Sequence, residues 1–186
     1  MRFKLISEGS DVGPLANALE AHPEFFDEIK IRQEAPGTAH SDTECIYVRG
    51  PEAFTVESYF DDVGSYDYPA MDLFMVELKY LLGPIMQMMG VKELGRILIV
   101  KLKPGGKIVP HIDEGRYSDY FSRYHLPIVT NPDAYYRVEN EFIHMKVGEF
   151  WQFNHKKEHT AGNEGAEDRI HLIVDMVDPN SGPMVS

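Results

Sequence analysis

The sequence predicts a mainly β protein, an antiparallel sandwich or barrel with flanking helices, and three observations carry that prediction. Between residues 96 and 177, short β-branched and aromatic runs alternate with Gly, Pro and Asn turns. At least six such runs follow one another, which favours an antiparallel sheet sandwich over a βαβ fold. The clearest helical pattern lies ahead of them, over residues 70–89, and is shaped to pack on a sheet. With 186 residues, 43% of them hydrophobic, and 10 Phe, 10 Tyr and 1 Trp, the chain can bury roughly 70% of its unfolded surface in one core. One domain is therefore expected over residues 1–186, with 1–95 as helical and loop support and 96–178 as the β core that carries the functional residues.

In chain order, residues 2–6 alternate as a short strand, and residues 11–21 read as a helix with Pro14 in its first turn. Residues 25–32 mix apolar and charged side chains and fit a strand or a short helix. A polar loop over 35–43 precedes a strand over 44–49, and 50–69 is turn-rich and reads as a long surface loop. In the helix over 70–89, Met71, Phe74, Met75, Leu78, Leu81, Leu82, Ile85, Met88 and Met89 recur at three- and four-residue steps as core filling. Gly90 closes it, and Gly83–Pro84 marks a point where it can bend. Strands are expected over 96–103, 121–129, 135–138, 141–146, 149–153 and 170–177, with Trp151 in the core and a loose tail over 178–186.

Composition limits the function classes. A formal charge of -12 argues against binding nucleic acid or an anionic membrane through a broad basic face. Cys45 is the only cysteine, which excludes an internal disulfide framework and a thiolate-rich zinc site and fits a reducing compartment. The N-terminus turns polar after six residues, too soon for a signal peptide, and no apolar run reaches the roughly 18 residues of a membrane span. A cytoplasmic location is expected.

The chemistry begins at His111 and Asp113. Two residues apart on an extended strand, after the turn Pro104–Gly105–Gly106, they point to one side and can share a metal ion. A second histidine from a later strand completes a two-His-one-carboxylate face with three open positions, a donor set suited to non-haem Fe(II). His155 and His159 are both candidates. Arg169 separates them: it lies ten residues after His159 and opens an apolar strand, where a guanidinium is costly unless it meets a carboxylate. That carboxylate is either a ligand's or one of Glu167, Asp168 and Asp175.

These residues together resemble the aspartyl/asparaginyl β-hydroxylase family of iron(II)/2-oxoglutarate-dependent oxygenases, over roughly residues 96–178. The resemblance is carried by Pro104, Gly105, Gly106, Pro110 and His111, by Arg123-Tyr124-His125-Leu126, and by Gly148, His159, Arg169 and Asp175 in order. It implies a double-stranded β-helix, a jelly-roll barrel of the cupin type. It implies His111 and His159 as iron ligands, Arg169 as the partner of the far carboxylate of 2-oxoglutarate, and Arg123 and His125 as further cosubstrate contacts, and Asp113 adds the carboxylate of the usual facial triad. No catalytic residue beyond the metal ligands is expected. Asp113 and the long loop between His111 and Arg123 depart from the branch that acts on epidermal-growth-factor-like domains, which lacks that carboxylate.

The implied activity is hydroxylation of an amino-acid side chain, free or in a protein, with Fe(II), 2-oxoglutarate and O2, and with ascorbate as an in vitro reductant. Arg32, His40, Arg49 and Arg116 are the substrate-binding candidates, because the open end of a barrel is built from loops and N-terminal extensions. Asn163 and Glu158 are candidates to orient His159. Two other classes use the same residues: a cupin-like module binding a metal or small anion without turnover, and a zinc hydrolase built on the His-Asp-His set.

Overall fold

The computed structural model describes residues 1–177; the tail expected to be loose lies outside the described residues. The N-terminal part supplies β1 (Phe3–Ser7), α1 (Gly13–Ala21), a 3-10 turn (Pro23–Asp27), α2 (Ile31–Glu34), β2 (Thr43–Gly50), α3 (Val56–Phe60), β3 (Tyr66–Asp67) and α4 (Pro69–Met89). The C-terminal part supplies β4 (Glu93–Leu102), β5 (Lys107–His111), α5 (Arg116–Tyr120), β6 (Ser122–Val129), β7 (Ala134–Val138), β8 (Glu141–Ile143), β9 (Phe150–Phe153), β10 (His159–Asn163) and β11 (Arg169–Val177).

Two antiparallel sheets result, one of seven strands in the order β1-β9-β6-β11-β4-β2-β3 and one of four in the order β5-β10-β7-β8. They enclose a shared interior in which Leu102 and Phe153 of the large sheet meet Ile108, Tyr136, Val138 and Ala161 of the small one. This is the double-stranded β-helix arrangement, with helices on the outer face of the larger sheet.

Period-two alternation divides the central strands into an apolar face and a face that carries the polar side chains. On β11, Leu172, Val174 and Met176 face α1 and α4 together with Ile97 and Ile99 of β4 and Tyr124 and Leu126 of β6. The intervening residues Arg169, His171, Ile173 and Asp175 face the interior between the sheets, as do Arg123 and His125 of β6. One face of this sheet packs on the helices with apolar residues, and the other carries charged and imidazole side chains into the interior.

α4 runs through Pro84 as one helix and ends at Gly90 in the left-handed conformation (φ 67°), whose N–H donates to the Met86 and Gln87 carbonyls. It buries Phe74, Leu78, Leu81, Leu82, Ile85 and Met89, but Met88 is 59% exposed, so not all its methionines fill core. The stretch 25–32 forms the end of the 3-10 turn and the start of α2 rather than a strand, and the expected loop 50–69 contains α3 and β3. Trp151 is only partly buried, with its indole N–H donating to Glu149 at 2.8 Å. Among the described residues no helix is long and apolar enough to cross a membrane.

Candidate metal centre

The site lies where β5 and β10 pair. The turn ahead of β5 needs Gly105, whose φ of 77° suits glycine, and Gly105 N–H donates to the Asn163 carbonyl at 2.8 Å, tying the turn to the end of β10. His111 and His159 then fall directly opposite each other in the ladder, with ring centroids 4.2 Å apart. Asp113 follows β5, and its N–H donates to the His155 carbonyl at 3.0 Å.

Both imidazoles are oriented in the same way. Nδ1–H of His111 donates to the Val109 carbonyl at 2.9 Å, and Nδ1–H of His159 donates to the Lys157 carbonyl at 2.9 Å. Each bond leaves the Nε2 lone pair pointing at Asp113, whose oxygens lie 3.7 Å from His111 and 3.9 Å from His159. One donor atom from each residue falls within 4.8 Å of the others. Burial pushes His111 below the ordinary imidazole range and His159 down to about 4, so both rings are neutral near neutral pH, the form a metal ion requires. Burial raises the Asp113 carboxyl, but Arg123, then His159, His155 and His111, outweigh it and hold the group well below the usual carboxylate range. Two neutral nitrogens and one ionised oxygen converging on a point fit a divalent ion of the Fe(II) type.

Arg123 supports this set. Its Nη1 donates to Asp113 Oδ2 at 2.7 Å, while Nε and Nη2 grip Asp175 at 2.8 and 2.9 Å. Tyr117 O–H adds a bond to Asp175 at 3.1 Å. Arg123 borders the cavity as expected of a ligand contact, but all three of its nitrogens are engaged by carboxylates, so it acts first as the brace of Asp113.

Arg169 is the contrast. It is 2% exposed, its Nη2 donates to His171 Nδ1 at 3.0 Å, and its guanidinium lies 5.7 Å from the Tyr136 ring centre. No ion pair reaches it among the described residues: Asp175 belongs to Arg123, and neither Glu167 nor Asp168 pairs with it. Burial pushes Arg169 down to about 10, still charged at neutral pH. Beside it, Nδ1 of His125 and Nδ1 of His171 are 3.2 Å apart, and the Nε2 atoms of both rings are buried without a partner. Arg169, His125, His111 and His159 all line one cavity.

The remaining candidates divide. Arg32 and His40 line the cavity, whereas Arg49 pairs with Asp67 at 2.5 Å, and Arg116, bonded through its backbone N–H to Asp61, is also not part of the lining. His155 gives its Nε2 to the Ser118 carbonyl at 2.8 Å and stands outside the His-Asp-His group. The orienting partners expected for His159 are otherwise employed: Asn163 bonds the Leu102 and Glu167 carbonyls, and Glu158 pairs with Arg137. Sequence reasoning missed Tyr136 and His171. The signal for Tyr136 was present, since Ala134, Tyr136 and Val138 alternate as buried residues along β7.

Comparison with known proteins places these features in context. A family model described as aspartyl/asparaginyl beta-hydroxylase matches residues 71–179, more than half of the chain. A curated L-proline cis-4-hydroxylase from Rhizobium meliloti (strain 1021) is 31% identical over 77 residues, 41% of this chain and 28% of that protein. The chain thus matches little more than a quarter of that relative's length. A solved oxidoreductase of the 2OG-Fe(II) oxygenase family from Burkholderia pseudomallei superposes with a TM-score of 0.53 at 12% identity, covering 77% of this chain and 70% of the other. That likeness speaks to the fold.

Proposed function

The chain belongs to the aspartyl/asparaginyl β-hydroxylase family, and from that premise we propose that it is an Fe(II)/2-oxoglutarate-dependent dioxygenase that hydroxylates an amino-acid side chain. The observation that carries the reading is a convergent His-Asp-His set whose two histidines line one cavity with a buried arginine that has no carboxylate of its own. A zinc hydrolase has no use for that arginine, and a module that binds a metal or small anion without turnover is distinguished by giving no succinate.

In this reading His111, Asp113 and His159 would hold Fe(II). Fe(II) with 2-oxoglutarate and O2 supplies the oxidising power for inserting oxygen into a C–H bond. The protein's residues do the rest. Arg169 binds the far carboxylate of 2-oxoglutarate through its planar fork. His125 lines the same cavity beside it. The carbonyls of Val109 and Lys157 keep each Nε2 turned to the metal, and Arg123 keeps Asp113 ionised and in place. Val100, Ile108 and Ile173 give the cavity apolar walls that exclude water.

The test is succinate release from 2-oxoglutarate by the purified protein with Fe(II) and ascorbate in air. The expected result is release that disappears in His111→Ala and His159→Ala but persists in His155→Ala. Zinc-dependent activity indifferent to 2-oxoglutarate would overturn the reading.

A further inference from the structure

A second buried guanidinium lines the cavity without a counter-charge. Arg32 on α2 is 8% exposed, its Nη2 donates to His40 Nδ1 at 3.2 Å and its Nη1 to the Tyr59 hydroxyl at 3.4 Å. Its Nε meets no partner, and no carboxylate pairs with it among the described residues. Arg96 is also buried without a carboxylate, but it lies outside the cavity lining, covered by the Tyr117 ring at 3.7 Å and bonded to the Ser58 carbonyl. Arg32 has no such cover and faces the site.

Its position is fixed. The segment carrying His40 is zipped to β5, with Val109 N–H donating to the Ala39 carbonyl and Lys107 N–H to Asp42, both at 3.0 Å. The Thr38 hydroxyl donates to the carbonyl of Arg32 itself at 2.8 Å. The His40 ring packs edge-on against His111 with centroids 4.7 Å apart, so a single imidazole separates Arg32 from a metal ligand. Arg32 and Arg169 share no hydrogen-bond partner, one bonding His40 and Tyr59 and the other His171. Arg123 between the carboxylates is already neutralised. The cavity lining therefore carries two buried guanidiniums, each held by different neighbours, that no carboxylate neutralises.

We propose that Arg32, with His40 and Tyr59 beside it, anchors the α-carboxylate of the substrate, so that the substrate is a small molecule of the free amino-acid class and not a side chain within a folded protein. This rests on the oxygenase reading, in which Arg169 is occupied by 2-oxoglutarate. A residue inside a polypeptide presents a neutral amide where a free amino acid presents a carboxylate. A buried cation built to meet an anion discriminates strongly against a partner that leaves it unpaired.

The test compares the standard free L-amino acids with their C-terminal amides on the full chain. It is read as melting-temperature shift of the metal-free protein and as stimulation of succinate release by the Fe(II)-loaded protein. At least one free acid is expected to raise both, and its amide neither. Arg32→Gln should raise the KM of that acid by about 100-fold with 2-oxoglutarate binding retained, and Arg32→Lys, which keeps charge without the fork, should fall between. An amide as effective as its acid would overturn the proposal, as would Arg32→Gln weakening 2-oxoglutarate instead. The acid and amide comparison needs no variant, so a failure of Arg32→Gln to fold does not remove it. Substrate-independent succinate release in the same series reports on the oxygenase reading. If no acid acts, the carboxylate proposal fails whether or not that release is present; the oxygenase reading fails with it only if the Fe(II)-loaded protein also shows no anaerobic charge-transfer band with 2-oxoglutarate.

Discussion

Arg123 and Arg169 sit on neighbouring strands, β6 and β11, and both face the interior, yet their surroundings are opposite. Arg123, 16% exposed, is held by Asp113 and Asp175, whereas Arg169, 2% exposed, meets a histidine nitrogen and the ring of Tyr136. A buried cation with two carboxylates belongs to the framework, because removing it strands two anions. A buried cation with none is a cost the folded state carries, and a ligand's carboxylate offsets it. The same residue type thus marks architecture in one place and a binding site in the other, and the distinguishing feature is the count of carboxylates around it.

The comparison is most exposed to Arg123→Ala. Leaving Asp113 and Asp175 buried without their partner should cost about 3–5 kcal/mol, read as a lower urea midpoint of the metal-free protein. Arg169→Met should behave the other way, with stability unchanged or higher, because it removes an unpaired buried charge and keeps the volume. If Arg169→Met unfolds the protein, the arginine is structural and the contrast collapses.

Acid sharpens the comparison further. Burial holds His40, His125 and His171 well below their ordinary value of 6.5, with Arg32 adding to the effect on His40 and Arg169 to that on the other two. Since the unfolded chain takes up these protons first, stability is full above about pH 6.5 and falls as pH drops below it. The depressed Asp113 works lower: its contribution is present above the unfolded carboxyl value near 3.9 and is lost only below it. Urea midpoints of the metal-free protein at pH 7.5, 6 and 5 should therefore decline in steps, and a flat profile over that range would contradict neutral burial of these rings. The smallest effect is expected for Arg169→Lys. It keeps the charge but not the fork, so the 2-oxoglutarate requirement should rise by about tenfold, measured as the concentration giving half-maximal succinate release.

Much of this was legible in the sequence, for reasons that can be named. The β-branched runs of β4, β6 and β11, the Pro-Gly turn before β5 and the two-residue step from His111 to Asp113 are local patterns, and local patterns survive without tertiary knowledge. β10 did not announce itself: its residues, His-Thr-Ala-Gly-Asn, have little strand preference, and it is a strand because β5 and β7 pair with it on both sides. The brace of Arg123 was hidden for a related reason. Asp113, Arg123 and Asp175 are brought together by sheet order, with Asp175 directly opposite Arg123 in the ladder, and spacing along the chain carries no trace of that register. Arg49 and Arg116 looked equivalent to Arg32 as cations on the N-terminal part and the loops, and only burial and direction separate them.

The most direct test is anaerobic titration of 2-oxoglutarate into the Fe(II)-loaded protein and its Arg169→Met variant, followed by the weak visible charge-transfer band. The account predicts saturable binding in the parent and at least about 100-fold weaker binding in the variant, with iron affinity and melting temperature preserved. Equal affinity in the two proteins, or a variant that loses iron or its fold, would contradict it.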